Sequence, residues 1–533
     1  MTQNAETGTA LYVVSEYGEF SSLLALAKVV RAQLGLHPAF LFKHDYGALN
    51  VHTQQLDVLG YSWVSARRAG LHTKHAASGG EDDYVPSYVR STREPKPGRS
   101  RSRTAATLTW LASIGAVATA PILPVAALAA LVFRRARGSA LLAVFKRFAR
   151  RHPGVVRWQY QKLIDEMRKV FEIFRPSIVI AGQDYPLSTT SMASLVAEER
   201  GLRTAIVPFS MTPTTKEIAE SFAGSRFNLL RGKLKSRLIK EAFPQWVNHY
   251  RGRDYTRLSL PEILVAEELR LTGPIPWVPN SGRGILLLPG QQSMEYCASA
   301  GISGDQLRIT GALWSDQIWR KSSSKGQRRD DLIYDIDSFS SSYRTTNLLP
   351  PVNYPEGTKL LLVSWPPDQA PRTPTGLADF SELSDALGEL LSRIHYSGMA
   401  RVAISLHPTL MGRSLQMDLR ERGLYLVDQQ LVDVIDSADI FLATVSSTLL
   451  WSLQLEVPSV NLDIYRYGYR EFSDAGILDV TSMADLRTTL LALLRRPGYY
   501  DEVRGKLAGT RGHWGLFDGH STERIITELS RLM

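Results

Sequence analysis

The chain's 533 residues carry 62 Lys/Arg against 52 Asp/Glu, a net charge of +10, with 44% hydrophobic and 21% charged residues. That length predicts two or three domains with sizeable cores, and the balance excludes a collagen, a wholly disordered chain and a many-span transporter. A single cysteine, Cys297, excludes a disulfide scaffold and a cysteine-based zinc cluster and fits a reducing compartment.

The N-terminal residues lack a basic stretch followed by a clean apolar run, so no cleaved signal peptide is expected. The first predicted strand is ALYVVS (Ala10–Ser15), ending in the polar turn SEYGEFSS, which holds Glu16 and Glu19. A helix over Ser21–Gly35 and a strand over Pro38–His44 follow.

Next comes the segment that supplies the basic character. Between Ser87 and Arg157 there are 14 Lys/Arg and one acid, Glu94, and the rest of the chain is slightly acidic. Inside it, Ala105–Phe133 carries no charge, is flanked by arginines on both sides, and is broken by Pro121 and Pro124. A simple crossing conflicts with two basic flanks and with a domain whose halves must lie on one side. The expectation is a helical hairpin resting on an anionic membrane surface. No nucleic-acid-binding motif appears, so nucleic acid is not the expected partner.

Strand–helix alternation resumes beyond the segment: a helix over Gln159–Phe174, strand Pro176–Gly182, helix Thr189–Glu199 and strand Thr204–Phe209. Strand Gly284–Gly290, a helix to Ala300 and strand Leu307–Gly311 complete the set. Residues 322–358 are rich in Ser, Asp, Pro and Asn with little periodicity and read as a linker. A second set follows: strand Lys359–Trp365, helix Leu383–Tyr396, strands Ala400–Pro408 and Leu424–Asp428, helix Leu431–Ala438, strand Asp439–Ser447, helix Thr448–Leu455, strand Ser459–Asp463 and a terminal helix over Ser521–Met533. The predicted architecture is α/β, with two Rossmann-like domains facing a cleft: 1–321, with the insert at about 87–157, and 359–533. No GxGxxG, Walker A loop or HExxH occurs, which removes NAD, ATP and zinc-protease readings.

Three places could carry chemistry. His407-Pro408 ends an apolar strand, so the imidazole stands at the sheet's carboxyl edge, where it can hold a phosphate or protonate a leaving group. Ser446-Ser447-Thr448 lies between a strand and a helix start, where hydroxyls and free N–H groups suit a phosphate. Asp184, after the strand Pro176–Gly182, is a candidate general base, with Glu16 and Glu19 competing. No DxD cluster stands at a strand end, so neither a metal nor a cofactor is expected.

With these residues the chain resembles the bacterial GT-B superfamily of sugar transferases and epimerases that build capsules and surface polysaccharides. His407-Pro408 and Ser446-Ser447 are similar to the His-Pro and Ser-Ser motifs of CMP-sugar transferases (sialyl-, polysialyl- and Kdo-transferases), a resemblance that implies nucleotide-phosphate binding there. Residues 182–208 resemble the strand–helix–strand of UDP-GlcNAc 2-epimerases whose aspartate is catalytic, which implies that role for Asp184. ITGALWSD (Ile309–Asp316) resembles the segment that closes the first domain in those epimerases. Trp451, Glu456 and Trp365-Pro366-Pro367 depart from the epimerase and UDP-sugar patterns and favour a CMP- or CDP-linked donor. The resemblance implies an inverting, metal-independent glycosyltransferase acting on a glycan or glycolipid acceptor at the cytoplasmic membrane face. Its alternatives are a CDP-glycerol-type polyol-phosphate transferase, an epimerase-like enzyme and a non-catalytic scaffold.

Overall fold

The structure is a computed structural model that describes residues 8–15, 17–43, 49–67, 70–74, 152–209, 230, 233–250, 252–278, 280, 282–322, 325–347, 352–368, 380–406, 410, 413–468 and 471–533. Glu16, His407 and Pro408 lie outside these, as does the insert up to Arg151.

The first sheet has eight strands: β1 Gly8–Val14, β2 Leu36–Phe42, β3 Ser62–Arg67, β4 Gly70–Lys74, β5 Pro176–Ala181, β6 Thr204–Ile206, β9 Ile285–Leu288 and β10 Leu307–Ile309, with β7 (Val247–Tyr250) and β8 (Arg253–Thr256) forming a separate hairpin. The order is β10-β9-β6-β5-β1-β2-β3-β4, parallel throughout except for β4 against β3. The chain runs outward from β1 to β3, then returns to start again at β5. The reversal point therefore lies between β1 and β5, where crevices open beyond the carboxyl ends of such strands.

Near-continuous apolar runs form these strands because helices cover both faces. In β1, Leu11 and Val13 face one core with Leu41, Val179 and Ala181, whereas Ala10, Tyr12 and Val14 face another with Phe40 and Ile178. Helices α1 (Tyr17–Leu34), α2 (Leu49–Val58), α3 (Pro153–Phe174), α4 (Thr189–Glu199), α5 (Lys233–Ala242), α6 (Leu260–Glu268) and α7 (Gln291–Ser299) accompany the first sheet. Helix α3 starts where His152 accepts the Gly154 N–H and Pro153 fits the first turn. It takes in the last residues of the basic segment.

The second sheet is wholly parallel: β11 Lys359–Ser364, β12 Ala400–Ser405, β13 Tyr425–Leu426, β14 Ile440–Ala443, β15 Ser459–Leu462 and β16 Leu478–Val480, in the order β13-β12-β11-β14-β15-β16. Its reversal point lies between β11 and β14. Two sheets with the same strand logic give the two Rossmann-like domains expected from the sequence.

Helices α8 (Leu313–Ser322) and α9 (Lys325–Thr346) connect the two sheets. The aperiodic linker expected over 322–358 is corrected here, because most of it is the 22-residue helix α9. Its buried stripe is Leu332, Ile336, Ser340 and Arg344, one residue per turn, with a serine and an arginine where an apolar pattern would be sought. Arg344 is accommodated over the Tyr396 ring, and Asp337 pairs with Arg401 at the start of β12.

Further helices of the second half are α10 (Phe380–Tyr396), α11 (Arg413–Glu421), α12 (Leu431–Val434), α13 (Leu449–Gln454), α14 (Glu471–Asp474), α15 (Met483–Arg495), α16 (Pro497–Trp514) and α17 (Ser521–Leu532). The last returns to the first sheet, where Ile525, Ile526 and Leu529 join the core around Tyr12 and Phe40. Asp316 of α8 fixes it there: its two carboxylate oxygens accept the Ser521 and Thr522 N–H groups at 2.9 and 2.6 Å. Among the described residues no helix is long and apolar enough to cross a membrane.

Candidate functional site

Asp184 stands three residues beyond β5, at the reversal point of the first sheet. It is 4% exposed. Its backbone is clasped by Asn280, whose Oδ1 accepts the Asp184 N–H at 2.5 Å and whose N–H donates to the Asp184 carbonyl at 2.8 Å. Asn280 takes a left-handed φ of 63°, which asparagine tolerates better than most residues. Leu187 also has a positive φ, 60°, and is held by donation to the Leu271 carbonyl. Ser188 caps α4 by accepting the Ser191 N–H, and its hydroxyl donates to Asp184 Oδ1 at 3.1 Å.

Burial pushes the Asp184 carboxyl up to about 6, opposed by the Ser188 hydroxyl and by the positive charges of Arg283 and Arg257. Arg257 lies 4.0 Å from the Tyr185 ring centre, and burial pulls its guanidinium down to about 10. A carboxyl poised near 6 is largely ionised at neutral pH yet takes up a proton readily, which is what a general base needs. A small pocket beside it is lined by Tyr185, Ser191, Thr272, Gly273 and Gly282.

Glu19, the other described candidate, is fully buried, and its Oε2 accepts the Ser15 N–H at 2.6 Å, fixing the turn between β1 and α1. A Cβ on Gly182, at the end of β5, would come within 3.2 Å of Glu19 Oε1. Glu19 and Asp184 thus flank the same reversal point from its two sides.

Ser446-Ser447-Thr448 follows β14 at the reversal point of the second sheet and is partly exposed. The Ser446 and Thr448 hydroxyls are 2.8 Å apart, and the Thr448 N–H points to Ser446 Oγ at 3.3 Å. The expected helix over Thr448–Leu455 is shorter, Leu449–Gln454, and so short a helix adds little dipole. The donors at this turn are therefore hydroxyls and backbone N–H groups. Just before it, Val445 has φ 45°, a genuine outlier for a β-branched side chain that costs about 1–3 kcal/mol. Its N–H donates to Asn461 Oδ1 at 2.8 Å. β12 ends two residues before His407.

The two carboxyl edges meet. Trp314, in the first turn of α8 beyond β10, packs on Trp451 of α13 with ring centres 5.9 Å apart. Leu516 N–H donates to the carbonyl of Pro289, which follows β9. Trp451 is thus a domain-contact residue.

Among the described residues no group of three or more His, Cys, Asp or Glu side chains is placed to hold a metal. Sequence reasoning missed Asn280, Gly282, Val445 and Asn461. The turn-forming run Asn280-Ser281-Gly282 was a visible signal for the first two, whereas a valine in a left-handed conformation gives none.

No family model matches the chain, and no curated protein matches it. Solved structures do resemble it. The UDP-GlcNAc 2-epimerase of Neisseria meningitidis is 11% identical over 98% of this chain and 100% of its own, with a TM-score of 0.45. That of Methanocaldococcus jannaschii is 11% identical over 98% and 99%, with a TM-score of 0.46. The wall teichoic acid polymerase TagF is 11% identical over 99% and 91%, with a TM-score of 0.46. Likenesses this distant carry nothing about activity.

Proposed function

We propose that the protein is an inverting glycosyltransferase of the GT-B kind that uses a nucleotide-activated sugar, a CMP-sugar by preference, to extend a surface or capsular glycan. The observation that supports this most is the pairing of reversal points: a buried carboxyl poised near 6 at one, and a strained hydroxyl turn at the other. In the reaction, an acceptor hydroxyl gives its proton to Asp184 as its oxygen bonds to the anomeric carbon. The bond from that carbon to the donor's phosphate oxygen breaks, and the departing phosphate accepts hydrogen bonds from Ser446, Ser447, Thr448 and His407. Glu16 is the alternative base. The domains of this reading are an acceptor domain (1–321), a connection (322–358) and a donor domain (359–533). Its acceptor is a glycan or glycolipid, met at the cytoplasmic membrane face through the 87–157 insert.

A thermal-shift panel of CMP, CDP, UDP and GDP tests the donor site. A ligand at 100 times its Kd adds about 2.7 kcal/mol of stability. His407→Ala should weaken binding and lower turnover further, and Ser447→Ala should do the same to a smaller degree. Product analysis then separates classes: a glycosidic bond supports the proposal, and a transferred phosphate ester identifies a polyol-phosphate transferase instead. Absence of nucleotide binding by the parent would replace it with a scaffold role.

A further inference from the structure

Resting on the donor-site reading above, we infer that Asn461 is the positioning residue of the Ser446–Thr448 turn, setting nucleotide affinity without touching the nucleotide. Asn461 lies on β15, in register with Ala443 at the end of β14 and with Asp479 on the edge strand β16. It is 1% exposed and uses both ends of its amide: Oδ1 accepts the Val445 N–H at 2.8 Å, and Nδ2 donates to Asp479 Oδ1 at 2.9 Å.

The Asp479 contact fixes which way the amide points, because only the nitrogen can donate to a carboxylate. The oxygen is therefore left facing Val445. This matters because Val445 sits at φ 45°, a conformation a valine abandons unless its surroundings hold it. Its side chain packs against the core below α13, and its N–H is held by Asn461. Ser446 follows directly, so the direction of its carbonyl and hydroxyl depends on the turn at Val445. That carbonyl accepts the Leu449 N–H at 3.0 Å, which starts α13. A chain of contacts thus runs from Asp479 through Asn461 to the three hydroxyls.

The test separates positioning from mere support. Nucleotide affinity is measured by calorimetry with CMP and UDP on the parent, Asn461→Ala, Val445→Gly and the double variant. Glycine adopts a positive φ without strain, so it should make Asn461 dispensable. Asn461→Ala should weaken binding about tenfold, the size of one lost buried hydrogen bond. Val445→Gly should bind within about threefold of the parent, and adding it to Asn461→Ala should restore most of the lost affinity. If Asn461→Ala does not fold, Asn461→Ser, which keeps a shorter acceptor, carries the same comparison. Should Asn461→Ala bind as the parent does, or should Val445→Gly fail to rescue it while both variants stay folded, the inference is overturned and the donor site stands. A parent that binds neither nucleotide overturns the donor site itself.

Discussion

Gly282 and Asp184 occupy one space: a Cβ on the glycine would overlap Asp184 Oδ2. The glycine is there so that the chain can pass directly over the carboxyl while Asn280, two residues earlier, grips the aspartate's backbone. Gly282→Ala should therefore move the carboxyl and little else. The expected outcome is a fall in kcat of tenfold or more with nucleotide affinity within about twofold of the parent, read from steady-state kinetics and calorimetry.

Asp184 has a further consequence for stability. Its folded pKa of about 6 lies above its usual 3.8, so the native state favours the neutral acid. The stability this confers is fully present below about pH 4 and is lost as pH rises through about 6, a change of about 3 kcal/mol. Asp184→Asn keeps an acceptor for Ser188 but cannot ionise. It should raise Tm at pH 7.5, leave it near the parent's at pH 4, and lower turnover by about 10²–10⁴. Equal Tm differences at both pH values would contradict the assignment.

His395 works in the opposite sense. It is fully buried in α10; its Nδ1 accepts the Val402 N–H at 3.3 Å, and Nε2 lies 2.8 Å from the Ser340 hydroxyl of α9. Burial pulls it down to about 4, below its usual 6.5. The neutral ring therefore stabilises the fold above about pH 6.5, and that contribution is lost as pH falls through 4. His395→Gln should flatten the parent's loss of Tm between pH 6.5 and 4, and hydrogen exchange of α9 should rise in the parent over the same range.

Asp316 ties α17 to the first domain through two backbone N–H groups, and Ser315 adds a hydroxyl contact to Ser521 at 3.0 Å. Asp316→Ala should cost about 2–3 kcal/mol, the range for hydrogen bonds to a buried charged group. Amide exchange over Ser521–Leu532 should rise first.

The basic insert lies outside the described residues, and its proposed membrane role has a direct measurement. Deleting Arg90–Arg151 should abolish flotation with anionic liposomes and leave both Rossmann-like sheets cooperative in thermal melts. Full-length protein that does not float would remove the membrane role.

Most central strands were legible because a parallel sheet covered on both faces needs unbroken apolar runs, as in Ala10–Val14 and Leu360–Val363. The position of Asp184 was legible because it follows closely on the apolar run of β5. Strands β3, β4 and β16 and the hairpin β7–β8 were not, since short sequences such as VNHY carry no continuous apolar run. Helix α9 hid because Ser340 and Arg344 occupy buried positions, matched by His395 and by the Tyr396 ring. Glu456, a departure noted in the sequence, has a physical trace: it takes a left-handed φ of 55° and pairs with Arg511. Neighbours far away in sequence thus made tolerable what local propensity would have rejected.

The return of α17 to the first sheet fixes the order in which the molecule can be completed during synthesis. Ile525, Ile526 and Leu529 fill one side of a sheet whose first strand is made some five hundred residues earlier. Helix α1 covers part of the face that packs Tyr12 and Phe40, and the part left to α17 stays open to solvent until the whole second domain has left the ribosome. A nascent chain arrested before Ser521 presents that part to chaperones, even with the second domain already folded.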